Sequence, residues 1–155
     1  MQEFDLMKLA LNEARDAEGR GEVPVGAVIV NRQNGKILAQ AGNRVEEFGD
    51  PTAHAELLAI QAATARLGRS RLLNCDVYVT LEPCAMCAAA IALARLRKLV
   101  FGAYDPKGGA VEHGPRLFSH PTIHHRPEII GGVTESDCAE LLTNFFRIRR
   151  DKSHD

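Results

Sequence analysis

Val77-Tyr78-Val79-Thr80-Leu81-Glu82-Pro83-Cys84-Ala85-Met86-Cys87 reads as a strand that turns directly into a helix. Val77 to Leu81 is short and β-rich, and Pro83 opens a helix that continues through an alanine-rich stretch to about Arg95. Leu99 to Phe101 is the next strand, so the segment is a strand-helix-strand unit, the building block of a parallel sheet. Upstream, residues 3 to about 18 place Phe4, Leu6, Met7, Ala10, Leu11 and Ala14 at helical spacing, and Gly19 and Gly21 stop the helix. Val25 to Val30 and Ile37 to Ala41 read as strands joined by a hairpin turn at Asn34-Gly35. Thr52 is the expected N-cap of a helix from Ala53 to Leu67, closed by Gly68. Downstream lie a Gly-, Pro- and His-rich loop over 102–127, a short strand at Ile129-Ile130, and a last helix capped by Thr134 or Ser136 and reaching about Arg150.

Strands alternating with helices predict an α/β fold, a three-layer α/β/α sandwich on a mixed five-stranded sheet. The first two strands add an antiparallel hairpin to an otherwise parallel sheet. In open α/β sheets ligands bind beyond the carboxyl ends of the strands, so a site is expected after Leu81 and Phe101.

The 155 residues contain no internal repeat and no Gly/Ser linker, which predicts a single domain over 1–155 with a core that needs no disulfides. The opening Met1 to Lys8 lacks the apolar core of a signal peptide, and the apolar runs Val25 to Val30 and Cys87 to Ala94 are too short for a bilayer. A cytoplasmic protein without a membrane partner is expected. Its 4 cysteines are then thiols, to be read for metal or redox chemistry. The net charge of -1 hides basic groups at Arg66/Arg69/Arg71, Arg95/Arg97/Lys98 and Arg147/Arg149/Arg150. These suit solvated helix ends as well as an anionic partner, and charge alone does not choose.

Two stretches carry chemistry, His54-Ala55-Glu56 and Pro83-Cys84-Ala85-Met86-Cys87, each at the start of a helix. Cys84 and Cys87 are i and i+3, so in a first helical turn their sulfurs lie on one side and can chelate one ion. A helix N-terminus favours the thiolate form that a metal requires. His54 and Glu56 are i and i+2, about 200° apart on a regular helix, so one is expected to ligate and the other to act beside the metal. An imidazole and two thiolates leave tetrahedral zinc one open position, the mark of a catalytic site. A water there has its pKa lowered to roughly 7, and Glu56 is placed to move its proton to a leaving group. Half a zinc ribbon or a redox pair would also explain Cys84 and Cys87. A ribbon needs a second such pair, whereas Cys75 and Cys138 stand singly, and the redox reading leaves His54 and Glu56 idle.

This combination resembles the signature of the zinc cytidine and adenosine deaminases. The likeness extends over Glu22 to Val28, Asp50 to Glu56, Thr80 to Cys87 and Phe145 to Arg150, nearly the whole chain. Within that superfamily it is similar to the group that converts the wobble adenosine of an arginine tRNA anticodon to inosine. The resemblance implies a cytidine deaminase-like fold, one Zn2+ per chain on His54, Cys84 and Cys87, and Glu56 as the proton carrier. It also implies Asn43 on the flipped base, Asp105 and Lys107 beside the RNA backbone, and a homodimer that holds the tRNA anticodon stem-loop with both chains; no DNA partner is expected. On the last helix Leu142, Phe145 and Arg149 share one face with Phe146 and Arg150 next to it, and the resemblance makes Phe145, Arg149 and Arg150 candidates for RNA contact. His113, His120, His124 and His125 have no ligand spacing and read as surface or loop-packing residues.

Two rival functions share parts of this pattern. A guanine or other free-base deaminase would use the same zinc chemistry, but Asn43 and the Phe145 to Arg150 ending suit a large anionic substrate better. A non-catalytic zinc module that binds RNA would leave Glu56 and the open coordination position without a purpose.

Overall fold

The structure, a computed structural model, describes residues 2–153. Its elements follow the chain as α1 (Glu3–Gly19), β1 (Gly26–Asn31), β2 (Ile37–Gly42), α2 (Val45–Phe48), α3 (Ala55–Leu67), β3 (Cys75–Leu81), α4 (Ala85–Leu93), β4 (Lys98–Ala103), β5 (Glu128–Ile130) and α5 (Glu135–Ser153). The sheet runs β2-β1-β3-β4-β5. β1 is antiparallel to both β2 and β3, whereas β3, β4 and β5 are parallel, with Val77 opposite Leu99 and Leu99 opposite Ile129. The edge hairpin on a parallel sheet is therefore present. β3 is its central strand and is buried over Cys75–Thr80, as a strand covered on both faces must be.

α1 and α5 pack on one face of the sheet, and α3, with α4 beside it, covers the other. The three layers close tightly enough that side-chain size is restricted where α1 crosses β1. A Cβ on Gly26 would collide with the Ala10 carbonyl oxygen and come within 2.6 Å of the Ala14 nitrogen, both rigid helix backbone. Gly26→Ala is expected to lower the unfolding free energy by about 3 kcal/mol, the upper end for overpacking. A urea unfolding midpoint equal to that of the parent would contradict this close approach.

Several boundaries differ from the sequence reading, each for a local reason. α3 starts at Ala55, not Ala53, because the Thr52 hydroxyl turns back to Asp50 at 2.7 Å and does not cap. The open Ala55 N–H is satisfied instead by Asn43 Oδ1 at 2.8 Å. Pro83 lies just outside α4, whose N-cap is Cys84. Thr134 adopts φ +53 and leaves its hydroxyl buried without a partner, while only its carbonyl joins α5, accepting from Cys138 N–H at 3.2 Å. Ser136 lies inside that helix. Asn34-Gly35 does sit in the β1–β2 turn, but the connection spans residues 32–36 and the pairing shifts register at Ile29/Val30. The short α2, ended by Gly49 at φ +58, was not anticipated. No helix among the described residues is long and apolar enough to cross a membrane.

Candidate active site

Two helix starts converge beyond the carboxyl end of β3. His54 is the N-cap of α3 and Cys84 the N-cap of α4, both in extended backbone, and Cys87 lies in the first turn of α4. His54 Nδ1 is 3.6 Å from each of the two sulfurs, and the three donor atoms lie within 4.8 Å of one another. The N-terminal ends of both helices point their partial positive charge at this spot, where thiolates are stabilised. Because His54 stands outside the helix, its side chain is freed from the 3.6-residue spacing that would turn it away from Glu56. Glu56, buried in the first turn of α3, consequently lines the same cavity as His54 and Cys84.

The electrostatics of the group are those of a site built for a cation. Hydrogen bonding from Cys87, with further help from His54, brings the Cys84 thiol down to about 4. The same bond to Cys84, with burial, pushes the Cys87 thiol far up, and the bond to Cys84 raises His54. Cys84 is thus the readiest of the three to serve as a thiolate, while a metal has to displace the proton of Cys87 and the one that the bond to Cys84 favours on His54. The soft, borderline donor set of one imidazole and two sulfurs fits zinc. Burial pushes the Glu56 carboxyl up to about 7, and the neighbouring Cys84 charge adds to the rise. A carboxyl poised near neutrality can both take and give a proton.

The cavity has a volume of about 390 Å³, within the range that holds a small ligand. Asn43 is on its wall, buried, with its carbonyl oxygen held by α3. Asp105 also lines it and folds its own loop by accepting from the N–H groups of Lys107 at 3.2 Å and Gly108 at 3.0 Å. Lys107 itself is exposed and borders a neighbouring hollow shared with Tyr104 and Phe146. From α5, Arg149 reaches the cavity wall; its guanidinium lies 4.8 Å from the centre of the Phe145 ring and donates to the Gly21 carbonyl at 3.1 Å. Phe145 is buried beneath it, so the exposed aromatic ring of this pair is Phe146. Arg150 is exposed on the same helix and is not among the cavity-lining residues.

Two buried acids beside the cavity escaped the sequence reading. Glu22 accepts from the backbone N–H groups of Glu46 at 3.0 Å and Glu47 at 2.8 Å. Glu82 does the same for the 105–113 loop, and although burial opposes its charge, hydrogen bonds from Asp105, His113, Glu112 and Val111 hold its carboxyl below the usual value. The available signal was an acid inside a buried apolar stretch, Glu22 before Val23-Pro24-Val25 and Glu82 before Pro83.

A site that gathers soft donors and a near-neutral carboxyl at one end of a base-sized cavity, on this three-layer fold, defines the class of zinc-dependent hydrolytic deaminases. Comparison with known proteins agrees: the zinc-binding region of the cytidine and deoxycytidylate deaminases matches residues 1–103, and the chain belongs to that family. It is 56% identical over 144 residues to the tRNA-specific adenosine deaminase of Agrobacterium fabrum, covering 93% of each chain. A solved structure from studies of A-to-I editing by tRNA:A34 deaminases at the wobble position of transfer RNA superposes with a TM-score of 0.86 at 56% identity, covering 89% of this chain and 99% of that one. A guanine deaminase from Bacillus subtilis is less similar, with a TM-score of 0.63 and 39% identity over 67% of this chain and 66% of its own.

Proposed function

We infer that this chain, acting as one domain over residues 1–155, hydrolytically deaminates adenosine to inosine at the wobble position of a tRNA anticodon, that of an arginine tRNA. The observation that carries the RNA part of this reading is Arg149, a cation on the wall of the same cavity that Glu56, His54 and Cys84 line. A free base has no phosphate for such a group to grip, whereas an RNA loop brings its backbone with the reacting base. Taking that base from a loop also keeps flipping inexpensive, because it leaves no paired duplex.

His54, Cys84 and Cys87 hold one zinc ion, which when bound supplies a water made nucleophilic at neutral pH. Glu56 would carry both protons, the first from the attacking water to the purine ring nitrogen next to C6 and the second from the new hydroxyl on C6 to the amino group, which leaves as ammonia as the C6 carbonyl forms. The Asn43 carbonyl oxygen is engaged by Ala55, so its amide hydrogens are the part that addresses the base. Backbone N–H groups at the start of α4 would stabilise negative charge on the oxygen that adds to C6. Asp105, Lys107, Phe145, Phe146, Arg149 and Arg150 form the RNA-facing rim, with Phe145 acting as the support under Arg149. The enzyme works in the cytoplasm as a homodimer, a reading supported by the apolar outer side of α4, where Ala85 is exposed and Leu93 is 66% exposed.

Incubation of the zinc-loaded protein with an anticodon stem-loop and, separately, with free guanine tests this function by mass spectrometry of the products. Inosine and ammonia from the stem-loop support it. Guanine turnover without inosine would leave only the zinc chemistry standing. A second test uses the double variant Arg149→Ala/Arg150→Ala, which keeps its zinc but binds the stem-loop less tightly. The slope of log affinity against log salt should become shallower by about 1.5, roughly 0.7 to 0.9 for each of two lost phosphate contacts, since fewer counterions are released. Unchanged affinity and slope would remove α5 from the RNA interface.

A further inference from the structure

Glu82 occupies the turn between β3 and α4, two residues before Cys84, yet its side chain is wholly inaccessible to solvent and bonds to none of the donor trio. Both of its oxygens serve one loop. Oε1 accepts from the Asp105 N–H at 3.0 Å and pairs with His113 Nδ1 at 2.8 Å. Oε2 accepts from the N–H groups of Val111, Glu112 and His113 at 3.1, 2.9 and 3.1 Å. A buried carboxylate left without donors is costly, and backbone N–H groups buried without an acceptor are costly as well. Here each satisfies the other, so the loop folds around the acid as a nest folds around an anion.

The fit is close enough to dictate residue types. A Cβ on Gly109 would stand 2.5 Å from the Glu82 carboxylate, so the loop can wrap it only with glycine there. His113 is held from its other side by the Tyr104 ring, edge-on at 6.1 Å, and Tyr104 in turn packs against Phe101 of β4 at 5.1 Å. The end of the loop nearest the cavity carries Asp105 and Gly108, both cavity-lining, with Lys107 between them on the surface. The carboxylate therefore fixes, from inside the protein, where the outer rim of the cavity stands.

We propose that Glu82, paired with His113, is a positioning residue for substrate binding: it shapes the 105–113 loop so that Asp105 and Lys107 meet the RNA strand beside the reacting base. The proposal rests on the reading of the substrate as an RNA loop. Its consequence is a division of labour at the β3–α4 turn, in which Cys84 faces the metal and Glu82, on the other side of Pro83, faces the substrate loop. Loosening the loop should then weaken RNA capture while leaving the chemistry of bound substrate almost untouched.

The test compares Glu82→Gln, Gly109→Ala, His113→Ala and His113→Asn with the parent, each loaded with zinc. Glu82→Gln and Gly109→Ala should raise the KM for an anticodon stem-loop by about tenfold, the scale of a disrupted buried hydrogen-bond network, with kcat held within about twofold. His113→Ala should raise KM by a smaller factor, and His113→Asn, which restores an N–H donor, should bring it back toward the parent. Hydrogen exchange of the 105–113 amides should accelerate in step with KM, while zinc content stays stoichiometric. Loss of kcat at unchanged KM, loss of zinc, or unaltered exchange in the loop would overturn the proposal. Should Glu82→Gln not fold, Gly109→Ala and His113→Ala decide the matter, because both leave the acid in place. A parent protein that does not turn over the stem-loop would refute the RNA reading itself, and the exchange data would still report whether Glu82 holds the loop.

Discussion

Glu56→Ala is expected to keep its zinc and its affinity for RNA while deaminating at least about 10²- to 10⁴-fold more slowly, the range for removal of a general acid/base. Glu56 is buried in the first turn of α3, two residues after the N-cap His54, and it does not belong to the trio of donor atoms that converge within 4.8 Å. Burial brings its carboxyl up to about 7, a direction that suits a group required both to take and to give a proton. Alanine removes that proton relay and leaves His54, Cys84 and Cys87 unchanged. Glu56→Gln, which preserves volume and hydrogen bonding but cannot ionise, should be as inactive as the alanine variant. Single-turnover measurement of inosine together with metal analysis checks the result. If zinc disappeared along with activity, Glu56 would have to be counted among the ligands.

The elements that were legible in the sequence are those whose pattern is local. β3 and α4 announce themselves through a β-branched run followed by Pro83 and alanines, and the parallel β3–β4 pair follows from that unit. The spacing of Cys84 and Cys87 likewise allows a chelating pair, but it took His54, Glu56 and the lack of a second such pair to favour that reading over a ribbon or a redox pair. The geometry of His54 and Glu56 was less accessible, because it depends on where α3 begins. That start is set by Asn43, eleven residues before His54 in another loop, whose side chain takes the first free N–H of the helix. Thr52 carries the commoner sequence signal for a cap, but its hydroxyl is engaged by Asp50.

The loop over 102–127 was opaque for a related reason. It has no period of its own, and the order it possesses comes from Glu82, more than twenty residues upstream of most of its donors. Read singly, His113 is indistinguishable from His120 or His124. In the fold, His113 meets a buried carboxylate whereas His120 and His124 stay exposed. The last helix shows the opposite limitation: its amphipathic face was visible, but only packing reveals that Phe145 is the buried support and Phe146 the exposed ring.

Cys87→Ala is expected to lose most of the zinc, and turnover with it, by more than the roughly 10⁴-fold that marks the upper range for a general base. With Cys87 gone the ion would retain one imidazole and one thiolate, and neither of the other two cysteines can take its place. Cys75 is fully buried at the start of β3, where desolvation raises its pKa and its sulfur faces the Leu73 carbonyl at 3.5 Å. Cys138 is packed in α5, with its thiol pushed up to about 11 by burial. Both therefore remain protonated thiols, which are poor ligands. Cys84 differs from them because hydrogen bonding from Cys87 and His54 brings its thiol down to about 4. Cys84→Ala should consequently lose zinc as Cys87→Ala does, whereas Cys75→Ala and Cys138→Ala should retain one ion per chain. Cys87→Ser fills nearly the same volume, and its failure to hold zinc would separate the loss of a sulfur ligand from the small cavity that alanine leaves. Metal analysis after gel filtration in zinc-free buffer reads all five proteins directly. Stoichiometric zinc in both Cys87 variants would show that the ion is held elsewhere, and the assignment of this trio would fall.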